Sequence, residues 1–213
     1  MSRYAQVAYT AAVRQVQYEM GSGAAGARRL AEPAERPDTL TTVEAAFVRG
    51  IDGFLIATVG ETGWPYIQYR GGPPGFVHVL DERTLGYADV RGNRQYITTG
   101  NLRGDDRVSL FFLDHARQTR LKLYGHAVVT PLDDDPELAD RLEAFRTDGR
   151  VERLITIRVE AYDWNCPKHI TPRFSERELE AALAPTRERL ARLELLEAEN
   201  TTLRTELARL RGA

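Results

Sequence analysis

A chain of 213 residues is long enough for one sizeable domain with appendages, and 42% hydrophobic residues support a packed core, which excludes global disorder. Lys and Arg number 29 against 31 Asp and Glu, for a formal net charge of −2; this argues against a broad nucleic-acid surface but leaves room for a local basic pocket. The single cysteine, Cys166, excludes an internal disulfide, the N-terminus shows no secretory signal and no apolar run is long enough for a bilayer, so a soluble, cytoplasmic protein without a membrane partner is expected.

In chain order, Tyr4 to Met20 reads as an amphipathic helix with Val7, Val13, Val16 and Met20 as its buried face. Residues 21–38, rich in Gly, Ala, Pro and charge, read as a linker or surface loop. Within them GSGAAG matches G-x-G-x-x-G. It follows a helical segment rather than a strand, so a flexible loop is expected there, not a dinucleotide site. Thr41-x-x-Glu44 is a capping box opening a short helix through Val48. Phe54–Val59 and Pro65–Arg70 form a hairpin about Glu61-Thr62-Gly63. Further strands are expected at Phe76–Leu80, Thr84–Ala88, Arg107–Leu113, Thr119–Thr130 and Leu154–Trp164, with helices near Asn93–Thr99 and Pro136–Phe145. Many strands, short turns and few helices indicate an antiparallel barrel: a mainly β, α+β fold with flanking helices.

The tail has a different character. Ser175-x-x-Glu178 is a second capping box, and Pro185 either interrupts the helix or restarts it. Beyond Arg189, Leu193, Asn200 and Leu207 fall at a positions and Leu196, Leu203 and Leu210 at d positions of a heptad repeat. In a parallel pair the g and e residues would meet as Arg192 with Glu197, Glu199 with Arg204 and Glu206 with Arg211, all of opposite sign. A short parallel coiled coil reinforcing a dimer is the favoured reading over a lone amphipathic helix.

The chemistry-bearing residues are mostly basic and polar. No HExxH, no G-x-S-x-G and no zinc-ligand spacing occurs, so no metal site and no catalytic residue is assigned; Asp133-Asp134-Asp135 reads as a solvated helix start. Arg91, Asn93, Arg94 and Gln95 arrive together at what looks like a helix start, which suits a phosphate. Arg120 and Lys122 share one strand face opposite Leu121 and Leu123, as Gln68 and Arg70 do opposite Ile67 and Tyr69; the alternatives are a face that binds an anion and an ordinary solvated sheet face. In Trp164-Asn165-Cys166-Pro167-Lys168-His169, Trp164, Asn165 and His169 can cover a planar ring and hydrogen-bond its edge, or Trp164 packs on the core before a turn. Cys166 is read as a structural thiol.

Three blocks, YIQYRGGPPGF, DVRGNRQY and NCPKHI, in this order and spacing, resemble the FMN-binding split barrels related to pyridoxamine 5′-phosphate oxidase, over residues 41–175. The resemblance implies a six-stranded antiparallel barrel that forms a homodimer with FMN at the subunit interface. It implies that Gln68, Tyr69, Arg70 and Gly71 run along the flavin and its phosphate chain, that Tyr87 and Ala88 end a strand beside it, and that Asn93 and Arg94 grip the phosphate. Arg120 would lie near the ring, and Trp164 and Arg173 match late Trp and Arg positions. Asn93 stands where the oxidase has a basic residue, so the phosphate charge falls to Arg91 or Arg70, and the oxidase's C-terminal substrate-binding sequence is not recognisable. The organisation expected is therefore an N-terminal helix and linker (1–40), an FMN-binding barrel (41–175) and a C-terminal coiled-coil helix (176–213). The function expected is FMN-dependent hydride or electron transfer to a small-molecule substrate or electron donor. The alternative is a non-enzymatic flavin-binding or stress protein, or a barrel holding deazaflavin or haem.

Overall fold

The computed structural model describes residues 3–31, 33–143, 149–164 and 168–212, so the expectations placed on Phe145, Asn165 and Cys166 lie outside the described residues. The chain divides into two compact units, Met1–Ile170 and Thr171–Ala213.

Seven strands of the first unit form one antiparallel sheet: β1 (Gly53–Val59), β2 (Pro65–Gly71), β3 (His78–Asp81), β4 (Thr84–Val90), β5 (Arg107–Asp114), β6 (Thr119–Pro131) and β7 (Val151–Trp164), in the order β2-β1-β5-β6-β7-β4-β3. The expectation of six strands is corrected to seven, and no ladder among the described residues joins β2 to β3 to close the sheet. The sheet nevertheless curls. β1 and β4 are four strand spacings apart, roughly 19 Å on a flat sheet, yet the rings of Phe54 and Tyr87 lie 5.4 Å apart, edge to face. One core fills the curl: Phe54 and Ile56 of β1, Leu110 and Phe112 of β5, Leu121 and Leu123 of β6, and Ile155, Ile157 and Val159 of β7. Strict alternation sends these side chains inward, and the twist of a sheet with one apolar face wraps that face upon itself. Gly125 marks a bulge between β6 and β7; a Cβ there would sit 2.6 Å from the carbonyl oxygen of Arg158. The Pro73–Phe76 turn takes Gly75 at φ 96°, with Phe76 N donating to Pro73 O at 3.0 Å, which only glycine adopts without strain.

The N-terminal region differs most from expectation. Tyr4–Met20 is two helices, α1 (Tyr4–Ala8) and α2 (Ala11–Glu19), because Thr10 is extended and its hydroxyl caps α2 by accepting from Val13 N at 3.4 Å. Val7, Val13, Val16 and Met20 are exposed, and Tyr4 and Ala5 are the buried residues instead. The glycine-rich stretch is not a loop: Gly23–Leu30 forms α3. Gly23 lets α3 approach α2 closely, since a Cβ there would lie 3.3 Å from the Tyr18 backbone, and the Gln17 side chain lies over Gly26. α1 and α3 lie against β6 and β7, and α2 packs on α3. Tyr4 stacks on Tyr124 at 5.1 Å, Arg29 pairs with Asp163, and Asp38 accepts from Arg3 N at 2.8 Å and Tyr162 N at 3.0 Å.

The Thr41–Glu44 capping box is present and opens α4 (Thr42–Gly50). Asp135 accepts from Leu138 N at 3.0 Å to start α6 (Pro136–Glu143) after a short 3-10 turn. The second unit carries α7 (Glu176–Arg211), opened by the Ser175–Glu178 capping box; Pro185 is accommodated inside it without ending it. No helix is long and apolar enough to cross a membrane among the described residues.

Candidate functional site

The curl brings two strands that are not sheet neighbours face to face. Arg70 on β2 lies 3.4 Å from Asp89 on β4, and above this contact opens a cleft of about 140 Å³. Three stretches build its walls. β2 turns Tyr66, Gln68 and Arg70 inward and leaves Ile67 and Tyr69 facing solvent at 61% and 60% exposure, so the polar face of this strand is the inner one. The loop after β4 supplies Asn93, Arg94 and Gln95. The third wall is Arg153 at the start of β7, together with the first turn of α5 (Ile97–Gly104).

That helix starts four residues later than the sequence suggests. Asn93 Oδ1 accepts from Gln95 N at 3.1 Å to make a side-chain turn, and Arg94 and Tyr96 adopt φ of 65° and 53°. Left-handed backbone at two non-glycine residues is costly and is typical of functional loops. No side chain among the described residues caps α5, and its first residues, Ile97, Thr98 and Thr99, line the cleft, so the positive end of the helix lies beside it.

The charges of the site alternate. Arg70 faces Asp89 at 3.4 Å, Asp89 faces Arg153 at 3.6 Å, Arg153 binds Glu152 at 2.6 Å and Glu152 faces Arg91 at 3.6 Å. Arg153 is fully engaged: it also donates to Thr99 Oγ1 at 2.7 Å and stacks over the Tyr96 ring at 4.7 Å, whose hydroxyl donates to Glu152 at 3.2 Å. Burial pushes the Asp89 carboxyl above its ordinary value, partly offset by Arg70 and Arg153 and reinforced by Glu152. Below it Tyr87 is buried in the core, and desolvation pushes its phenol up to about 12 despite the nearby Arg70 charge.

Two buried polar atoms on the cleft walls, Arg70 Nε and Thr98 Oγ1, have no hydrogen-bond partner among the described residues. A buried donor left unmade is expensive, so such atoms mark where a ligand acceptor belongs. Three arginines against two carboxylates line the cleft, with an uncapped helix start beside them. This donor set suits a phosphomonoester, the terminal group of FMN.

Of the sequence-predicted site residues, the structure gathers Gln68, Arg70, Asn93, Arg94 and Gln95 in the cleft, with Arg91 joined through Glu152. Tyr69 lies on the outer face of β2 over Gly53 and Gly71, which pair across β1 and β2. Ala88 is half-buried between Tyr87 and Asp89. Arg120 and Lys122 are not cleft-lining; Lys122 reaches Asp163 at 3.4 Å and the Tyr4 ring at 4.5 Å. Trp164 donates its indole N–H to Glu44 at 2.7 Å and packs edge-on against Phe47. His169 occupies an exposed turn at φ 67°, and Arg173 belongs to the second unit. Sequence reasoning missed Thr98, Asp89 and Arg153. Arg153 carried a readable signal: it shares strand parity with Ile155, Ile157 and Val159, so it is a cation on the inward face.

The family model for pyridoxamine 5′-phosphate oxidase matches residues 40–162, which is 123 of the 213 residues. Among solved structures the chain is similar to HupZ of Group A Streptococcus, at 18% identity over 63% of this chain and 100% of that one, with a TM-score of 0.49. It is similar to a Clostridium acetobutylicum protein related to general stress protein 26, at 18% identity over 59% and 85%, with a TM-score of 0.43. It is also similar to an FMN-binding protein of Syntrophomonas wolfei, at 9% identity over 57% and 84%, with a TM-score of 0.44. No curated protein matches it significantly. With more than half of its length matched by one family model, the chain belongs to the pyridoxamine 5′-phosphate oxidase family.

Proposed function

We propose that this protein is an FMN-dependent oxidoreductase acting on a small molecule in the cytoplasm, as a homodimer with the cofactor at the subunit interface. The observation that supports the reading best is the gathering of Arg70, Arg94 and Arg153 on one cleft beside the uncapped start of α5, where Arg70 Nε and Thr98 Oγ1 of the lining residues have no hydrogen-bond partner among the described residues. Arg70 and Arg94 would hold the phosphate, with the α5 amides, Asn93 and Gln95 completing its shell. Bound FMN would supply hydride or single-electron transfer, chemistry that needs no protein acid or base at the reacting atom. Without ligand, Asp89 pairs with Arg70 and Arg153 and Glu152 with Arg153, so a phosphate would compete with these carboxylates for the arginines.

A cleft of about 140 Å³ accommodates a phosphate and its adjoining chain. It falls short of the roughly 300–1,000 Å³ typical of sites that enclose a whole drug-sized ligand. The planar ring of a flavin would therefore lie outside it, against a second surface. The outer face of β2 offers apolar area for such a partner copy in Ile67 and Tyr69, and Trp64, just before the strand, is exposed as well.

The test is the absorption spectrum of protein purified without added cofactor, followed by reduction with a nicotinamide donor. A flavin spectrum that bleaches and recovers in air supports the proposal. A flavin spectrum that no reductant bleaches supports a flavin-binding protein without turnover. Uptake of haem or deazaflavin in preference to FMN overturns the cofactor assignment.

A further inference from the structure

We propose that α7 pairs in parallel and in register with α7 of a second copy of this chain, through a seam running from Leu193 to Leu210. The inference does not rest on the cofactor. It rests on three properties of the helix. α7 is continuous for 36 residues, roughly 54 Å long, and no residue in it is buried. The leucines at the seam positions 193, 196, 203, 207 and 210 are each between 47% and 74% exposed. Pro185, which lacks an N–H, sits upstream of the seam and leaves its hydrogen-bond ladder intact. Thr201, Thr202 and Thr205 fall at outward heptad positions, and their hydroxyls donate back to the carbonyls of Glu197, Ala198 and Thr201 at 2.8–3.0 Å. The hydroxyls of these outward residues are thus satisfied within one helix, which leaves Asn200 as the polar side chain of the seam.

Charge and polarity select the occupant and its direction. Parallel pairing sets Arg192 against Glu197, Glu199 against Arg204 and Glu206 against Arg211, twice each by symmetry, with every contact attractive. It also places Asn200 opposite Asn200, where the two amides can hydrogen-bond each other. Antiparallel pairing of the same seam matches a against d. Asn200 then faces Leu203 and loses its partner, while g residues meet g residues, so Glu199 lies beside Glu206. A second copy in parallel satisfies every seam and flank position at once, which an unrelated apolar groove would not.

The test uses the full chain carrying Cys166→Ser, with Leu210→Cys at the seam or Leu195→Cys on the outward face, equilibrated in a glutathione redox buffer. Parallel pairing brings the two residues at 210 within disulfide reach. The expected result is a disulfide-linked dimer favoured by about ten-fold or more for Leu210→Cys over Leu195→Cys. Adding Glu199→Arg should lower that yield, and adding Arg204→Glu to it should restore the yield. Equal crosslinking at the two positions overturns the pairing. So does a yield unchanged by Glu199→Arg, or absence of the Leu210→Cys dimer, since antiparallel helices hold those ends roughly 26 Å apart. FMN binding is measured on the same samples; a chain that binds FMN without the Leu210→Cys crosslink refutes the tail pairing and keeps the cofactor reading, and one that crosslinks without binding FMN does the reverse.

Discussion

Thr98→Val should move stability and cofactor affinity in opposite directions. Thr98 is 4% exposed, sits in the first turn of α5, and its hydroxyl has no hydrogen-bond partner among the described residues. Valine has the same shape and the same β-branching, so packing and helix propensity are nearly unchanged. Without ligand, removing a buried unsatisfied hydroxyl relieves about 1 kcal/mol or more of desolvation cost, which raises Tm by about 2–4 °C for a chain of this size. If that hydroxyl donates to the FMN phosphate, the variant loses a hydrogen bond to a charged group, about 1.5–3 kcal/mol or roughly 10- to 150-fold in Kd. Differential scanning fluorimetry of the ligand-free protein gives the first quantity, and quenching of flavin fluorescence on titration gives the second. A lower ligand-free Tm together with unchanged FMN affinity would refute the reasoning, because it would mean the hydroxyl serves the fold and not the cleft.

Asp89→Asn removes a carboxylate that competes with phosphate for Arg70 and Arg153, so FMN should bind more tightly at pH 8. Because burial raises the Asp89 pKa, the wild-type carboxyl is neutralised earlier on acidification than an ordinary one. The advantage of the variant should therefore shrink as pH falls, and a pH-independent difference would contradict it. Gly125→Ala places a Cβ 2.6 Å from the Arg158 carbonyl oxygen and 2.9 Å from the Ile157 side chain; it should cost about 1–3 kcal/mol, read as a lower midpoint in urea, and a neutral effect would show that the bulge can relax. At Glu44, burial alone would raise the pKa, but hydrogen bonds from Thr41 and Trp164 outweigh it and hold the carboxyl below its ordinary value. Its contribution is thus complete above the ordinary carboxylate range and is lost as pH falls through the lower, folded-state value. Glu44→Gln should destabilise by about 1.5 kcal/mol or more at pH 7, with the gap to wild type closing in that acid range; a constant gap down to pH 2 would argue against the coupling.

The features legible in sequence were the local ones. Both capping boxes form, because their hydrogen bonds span only three residues. The strands around Leu121 and Leu123 follow from alternation alone. What sequence could not show was set by tertiary contact. GSGAAG reads as a loop by composition, yet Gly23 begins a helix and Gly26 fits beneath Gln17. Lys122 reads as an anion ligand until Tyr4 is found lying on it, and Trp164 as a ring cover until Glu44 takes its N–H. The cleft itself depends on a curl that brings β2 to β4 across five places in the sheet order, a relation that no periodicity encodes. The start of α5 was displaced because two residues with side chains, Arg94 and Tyr96, take backbone angles usually left to glycine.

Parallel titrations of the wild-type chain with FMN and riboflavin test the central claim most directly, since the two ligands differ only in the phosphate. The arrangement of Arg70, Arg94, Thr98 and the α5 amides predicts that FMN binds about a hundred-fold more tightly, the effect of one or two charge-assisted hydrogen bonds. Equal affinity for the two ligands would contradict it, because the cleft would then not be a phosphate site.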